Sequence, residues 1–144
     1  MKLKLDLDEM ANEFFRETRI IGVVASMKDY QFCWQLNQML GFDFRINNDI
    51  EIQLNRKNRN YYFSVFEYRE PHNALVHYLY NNEYDGEYLL PEFKHLDFLW
   101  LMKGDTVNED FINELSLAIK SITGVQLVME IMNARIKNKA HLIF

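Results

Sequence analysis

Two carboxylates, Glu92 and Asp97, stand five residues apart in the stretch Leu90-Pro91-Glu92-Phe93-Lys94-His95-Leu96-Asp97-Phe98. Held close together, such a pair can act as acid and base or hold a cation. A structural role competes with that chemistry. Pro91 fixes its own φ and biases Leu90 toward extended backbone, Glu92 is placed to accept backbone N–H groups of the following turn, and Asp97 is placed to cap the start of a strand. The expectation is therefore structural for Leu90, Pro91, Glu92, Leu96, Asp97 and Phe98, with Glu92 and Asp97 kept as candidate binding residues. The four histidines, His72, His77, His95 and His141, show neither the i, i+4 spacing of a helical metal pair nor the His-x-His spacing of a strand pair. The five glycines form no phosphate-cradling motif. Ser64, Ser116 and Cys33 fall inside periodic elements, where they read as strand and helix residues before nucleophiles. No catalytic residue, metal or cofactor is expected.

Two further groups bear on binding. The run Arg56, Lys57, Arg59, Tyr61, Tyr62, Phe63, Phe66, Tyr68 and Arg69 mixes cations with aromatics, as an RNA-stacking sheet does. Alternating aromatics are more often core and cross-strand pairs, the glycine-aromatic submotif of such sheets is missing, and RNA is not the expected partner. Tyr30, Trp34 and Asn37 form a stripe at helical spacing, offset from Phe32, Leu36 and Met39. Trp and Tyr are typical interface anchors, so this stripe is the candidate edge of a partner groove.

The elements that carry these residues follow from periodicity. Leu3, Leu5 and Leu7 alternate with polar residues as a short opening strand, and residues 9–16 form a polar, helix-permissive link. Residues 18–25 are nearly continuously apolar and read as a strand covered on both faces. Residues 29–40 form an amphipathic helix with Ser26 or Asp29 as cap and Gly41 past its end. Ile50 to Leu54 and Tyr61 to Tyr68 make a hairpin across a polar connection at residues 55–60. Strand-like residues 74–80 continue a meander, followed by turns at Asn81-Asn82 and Asp85-Gly86. Residues 97–102 are a buried strand. Thr106 opens a second helix with Glu109 at capping-box spacing, buried through Val107, Phe111, Leu115, Ala118, Ile119 and Ile122. Val125, Leu127, Met129 and Ile131 alternate as a last strand, residues 133–140 are a linker or short helical turn, and the apolar end Leu142-Ile143-Phe144 must pair with a sheet edge or dock on the core. The order predicts one α+β domain over residues 1–144, with an antiparallel or mixed sheet and two principal helices, a ferredoxin-like arrangement elaborated by central hairpins.

Composition narrows the class. At 144 residues, 49% hydrophobic and 26% charged, the chain is long and apolar enough for one core. Eleven Phe and eight Tyr exceed what that core needs, and the surplus points to an interface. A formal net charge of −5 disfavours general nucleic-acid and anionic-membrane binding. The alternating start lacks the apolar run of a signal peptide, no segment reaches membrane-spanning length, and a cytoplasmic location is expected. The single cysteine, Cys33, excludes an intramolecular disulfide.

The segment from Leu90 to Phe98 resembles the signature of the IPExxxVDY family of small bacterial proteins, with Pro91, Glu92 and Asp97 matching and Leu90, Leu96 and Phe98 standing for Ile, Val and Tyr. Lys28-Asp29-Tyr30, Cys33-Trp34, Leu36-Asn37 and the closing His141-Leu142-Ile143-Phe144 are similar to that family as well. The resemblance spans most of the chain and implies no reaction. The expected function is a non-enzymatic interaction or regulatory domain that binds another protein or itself; a small-molecule sensor of ferredoxin-like type is the alternative, and an RNA-associated protein the third.

Overall fold

The computed structural model describes residues 9–144, so the opening strand expected at Leu3 to Leu7 lies outside the described residues. A short helix at residues 9–14 (α1) leads into β1 (Thr18–Ala25), α2 (Asp29–Leu40), β2 (Arg45–Arg56), β3 (Arg59–Arg69) and β4 (Val76–Asn81). A two-residue hairpin follows, β5 (Glu83–Tyr84) and β6 (Glu87–Tyr88), then β7 (Phe98–Lys103), α3 (Glu109–Lys120) and β8 (Val125–Ile131). The main sheet has the order β2-β3-β4-β7-β1-β8, and every pairing in it is antiparallel. Within it, β8-β1-β7-β4 with α2 after β1 and α3 between β7 and β8 reproduces the ferredoxin-like split βαβ order. The β2–β3 hairpin, inserted between α2 and β4, widens that sheet to six strands.

Alternation in β1, β4 and β7 feeds two cores. Ile21, Val23, Leu79, Phe98, Trp100 and Met102 face the helix layer of Phe32, Cys33 and Leu36 from α2 and Ile112, Leu115 and Ile119 from α3. Ile20, Tyr78, Tyr80, Leu99 and Leu101 face the other way, onto Leu89, Leu90, Leu96, Ile136 and Leu142. The second sheet face is thus closed by the signature segment and by a C-terminal strap, residues 132–144, made of two single-turn 3-10 segments. The apolar C-terminus docks on the core: Phe144 packs edge-on against Phe14 and Tyr78, and the fully buried Tyr80 hydroxyl donates to the Leu142 carbonyl at 2.9 Å.

Local departures from the expected elements have identifiable causes. The expected polar connection at residues 55–60 is mostly ladder, because Lys57 and Asn58 take left-handed φ of 54° and 63° and close a two-residue turn, pairing Asn55 with Asn60 and Arg56 with Arg59. Neither Ser26 nor Asp29 is the α2 cap: Lys28 holds that position and its backbone N–H donates to Gln31 Oε1 at 2.9 Å. Helix α3 begins at Glu109, later than Thr106, because the Asn108 side chain accepts from Phe111 N at 2.9 Å. Its stripe includes Ile112, outside the expected set, and leaves Phe111 half-buried. A register shift opposite Val24 and Ala25 turns Val125 to the helix side, while Met129 and Ile131 stay on the strap side.

Candidate functional site

The signature segment is held from three sides. Leu90 and Leu96 are buried in the strap-side core, and Pro91 starts a single 3-10 turn. Between them lies Asn82, a fully buried amide whose Nδ2 donates to the Phe93 and Leu96 carbonyls at 2.9 and 3.0 Å and whose Oδ1 accepts from Leu90 N at 2.9 Å. Every polar atom of that amide therefore faces the signature backbone. The sequence presents Asn82 as a turn residue, and burial of an amide is the only feature that sets it apart.

Both signature carboxylates are engaged at long range. Glu92 accepts from Lys137 N at 2.6 Å, Asn138 N at 2.9 Å and Asn138 Nδ2 at 2.8 Å. The backbone amides it satisfies belong to the strap and not to the following turn, where the sequence places them. Burial pushes its pKa up, but the hydrogen bonds from Asn138, from its own backbone and from Lys137 outweigh burial, so the carboxyl sits below its usual range. Asp97 accepts from Ala25 N at 2.9 Å through Oδ2, while its own N–H donates to the Val23 carbonyl at 2.8 Å. It caps the end of β1 across the sheet at the register shift. One carboxylate fastens the strap and the other fastens β1. Among the described residues, no group of three or more His, Cys, Asp or Glu is positioned to hold a metal ion.

The expected stripe on α2 divides. Asn37 turns away from the helix surface and closes a two-point bond with Phe44, accepting from its N–H at 2.8 Å and donating to its carbonyl at 3.1 Å. That pair fixes the connection from α2 to β2, so Asn37 does not share a surface with the aromatics. Tyr30 and Trp34 remain, 59% and 61% exposed. With Met27 and Gln31 on one side and Thr123 and Gly124 on the other, they line an open groove of about 820 Å³. Gly124 holds φ of 98°, which turns the chain from α3 into β8 and forms the far wall. Cys33, on the sheet-facing side of α2, is buried; burial first, and the Asp29 charge second, push its thiol up to about 12. A thiol so protonated is a core residue and not a nucleophile.

A second buried polar group is His77, fully enclosed by the rings of Phe42, Phe44, Tyr68 and Trp100. Trp100 Nε1–H donates to Nδ1 at 2.9 Å, which assigns the ring proton to Nε2, 2.6 Å from Glu70 Oε2. Burial lowers the His77 pKa against the opposing hydrogen bond to Glu70, so the ring is neutral. Both nitrogens are occupied, leaving no free base. Sequence spacing had no means of pairing His77 with Trp100, 23 residues away.

The basic-aromatic run lies on the β2–β3 hairpin, where Tyr61 and Phe63 are buried toward the strap and Tyr62 is exposed on the other face. No helix among the described residues is long and apolar enough to cross a membrane. A scan against protein-family models matches none of them. A search of curated proteins likewise finds no match.

Proposed function

We propose that this chain is a non-enzymatic, cytoplasmic interaction domain of the IPExxxVDY kind that it resembles, and that it engages another protein through the groove on α2. The observation that carries this reading is the exposure of Trp34 and Tyr30 one helical turn apart on a helix whose opposite face is fully buried. Large aromatics offer wide contact area at small entropic cost, and Trp and Tyr are enriched among the residues that anchor protein interfaces. The engagement of Glu92 and Asp97 with backbone amides supports assigning the signature to folding, so Tyr30 and Trp34 are what remain of the candidate binding residues.

The test is affinity capture from extract of the source cells with the wild-type chain and Trp34→Ala in parallel, each split into nuclease-treated and untreated halves. A protein recovered by the wild type in both halves and lost from Trp34→Ala supports the reading; equal recovery by both chains refutes it. The size of the groove also supports a second reading, a small-molecule sensor, since ligand pockets span about 300–1,000 Å³. A saturable rise in melting temperature with a metabolite, abolished in Trp34→Ala, favours the sensor. Silence across a broad metabolite library removes it.

A further inference from the structure

Two segments of this chain carry cations and no carboxylates, and the fold brings them together. Residues 54–62 and 132–144 hold Arg56, Lys57, Arg59, Arg135, Lys137 and Lys139, six of the sixteen Lys and Arg, and none of the twenty-one Asp and Glu. These two segments are remote in sequence and adjacent in space. His141 Nδ1 donates to the Leu89 carbonyl at 2.6 Å, which leaves Nε2 to accept from Arg56 Nη2 at 3.4 Å, so the strap lies against the end of β2. The two-residue turn holds Lys57 and Asn58 at the exposed tip. Among the described residues, Arg59 is the one of the six in an ion pair, with Asp85, and Lys139 lies over the Phe15 ring. Among the described residues, Arg56, Lys57, Arg135 and Lys137 form no side-chain ion pair, and the Glu92 carboxylate meets Lys137 only at its backbone N–H.

We propose that this surface binds the phosphate backbone of single-stranded RNA. A net charge of −5 averages over the whole surface, whereas a ligand meets the local field, which decays over about 10 Å at moderate salt. Cations interleaved with the amides of Asn58 and Asn60 suit phosphates and base edges together. Beside them, Tyr84 is 52% exposed, edge-on to Phe63 and next in sequence to the Asp85 that holds Arg59. An exposed ring beside the Arg59–Asp85 pair provides a stacking platform for a base. Glu83 and Glu87 lie on the same small hairpin as Tyr84 and mark the acidic border of the surface.

The experiment is fluorescence anisotropy of labelled oligouridine with the full chain over a series of salt concentrations, with oligoglutamate as competitor. Four phosphate contacts on a single strand give a slope of log K against log salt of about −3. The double variant Lys57→Glu, Lys137→Glu is expected to weaken binding at least tenfold and to halve that slope. Tyr84→Ala is expected to weaken binding with the slope unchanged, and Trp34→Ala to leave it intact, which separates this surface from the groove. Should the double variant melt early, Lys57→Gln alone at the exposed tip is read in its place. Undetectable binding at the lowest salt, binding indifferent to charge reversal, or equally effective competition by oligoglutamate overturns the proposal.

Discussion

Removing the Glu92 carboxylate should loosen the strap before it affects anything else. Three hydrogen bonds converge on that one group, two from backbone amides at Lys137 and Asn138 and one from the Asn138 side chain. Hydrogen bonds to charged groups contribute about 1.5–3 kcal/mol each when buried. Lys137 is exposed, so water replaces part of the loss, and Glu92→Ala should cost about 2 kcal/mol in total. For a chain of this length that corresponds to a fall in Tm of roughly 4–8 °C. The pH dependence has a definite sign. The folded pKa lies below the usual 4.5, so the stabilisation is complete above the unfolded value and is lost as pH falls through the folded one. The gap between wild type and variant should therefore be full at neutral pH and close in acid. Thermal unfolding followed by circular dichroism measures it, and limited trypsin digestion gives a local readout, since Arg135, Lys137 and Lys139 all lie in the strap. Glu92→Gln, which keeps an acceptor oxygen without the charge, should fall between. Equal melting of Glu92→Ala and wild type at neutral pH, with unchanged cleavage of the strap, would refute the structural assignment and return Glu92 to the list of binding residues.

Other substitutions probe separate joints. His77 is buried and neutral with its pKa lowered, so the unfolded chain takes up a proton first and stability should decline as pH drops below about 6.5, the unperturbed value. Urea titrations between neutral pH and about pH 5, above the usual Glu70 range, should show that decline in wild type and its loss in His77→Phe, which itself costs about 1–3 kcal/mol through the unpaired Trp100 and Glu70. A methyl group at Gly22 would stand 2.3 Å from Leu96 Cδ1 and 3.2 Å from Ile131 Cδ1, so Gly22→Ala should destabilise by about 1–3 kcal/mol in the same titration. Trp34→Ala removes an exposed ring and should change stability by no more than about 0.5 kcal/mol, with the buried Trp100 left to dominate the fluorescence.

Periodicity revealed most of the frame. β1, α2 and β8 begin and end where the alternation and the helical spacing place them: β1 is buried on both faces and α2 buries one stripe under the sheet. The ferredoxin-like order also follows from the succession of elements, although the two-residue turn at Lys57-Asn58 was hidden by a polar run that permits any loop. What periodicity does not carry is the identity of long-range polar partners. Glu92 meets Lys137 and Asn138 only because the strap folds back across the sheet, and His77 meets Trp100 only because β4 pairs with β7. Asn37 shares the helical spacing of Tyr30 and Trp34, yet its amide is drawn to the Phe44 backbone, a choice set by the connection after the helix. The basic surface was half visible: the residues 56–59 stood out, while their union with the strap depends on the packing of His141 against Leu89.

The most direct measurement is site-specific photo-crosslinking in the source cells, with a photoreactive phenylalanine analogue placed at position 34 and, as a control, at the exposed position 64 on β3. The expected result is a discrete protein adduct from position 34, identified by mass spectrometry and lacking from position 64. The same adducts from both positions, or none from position 34, would contradict an interaction surface on α2.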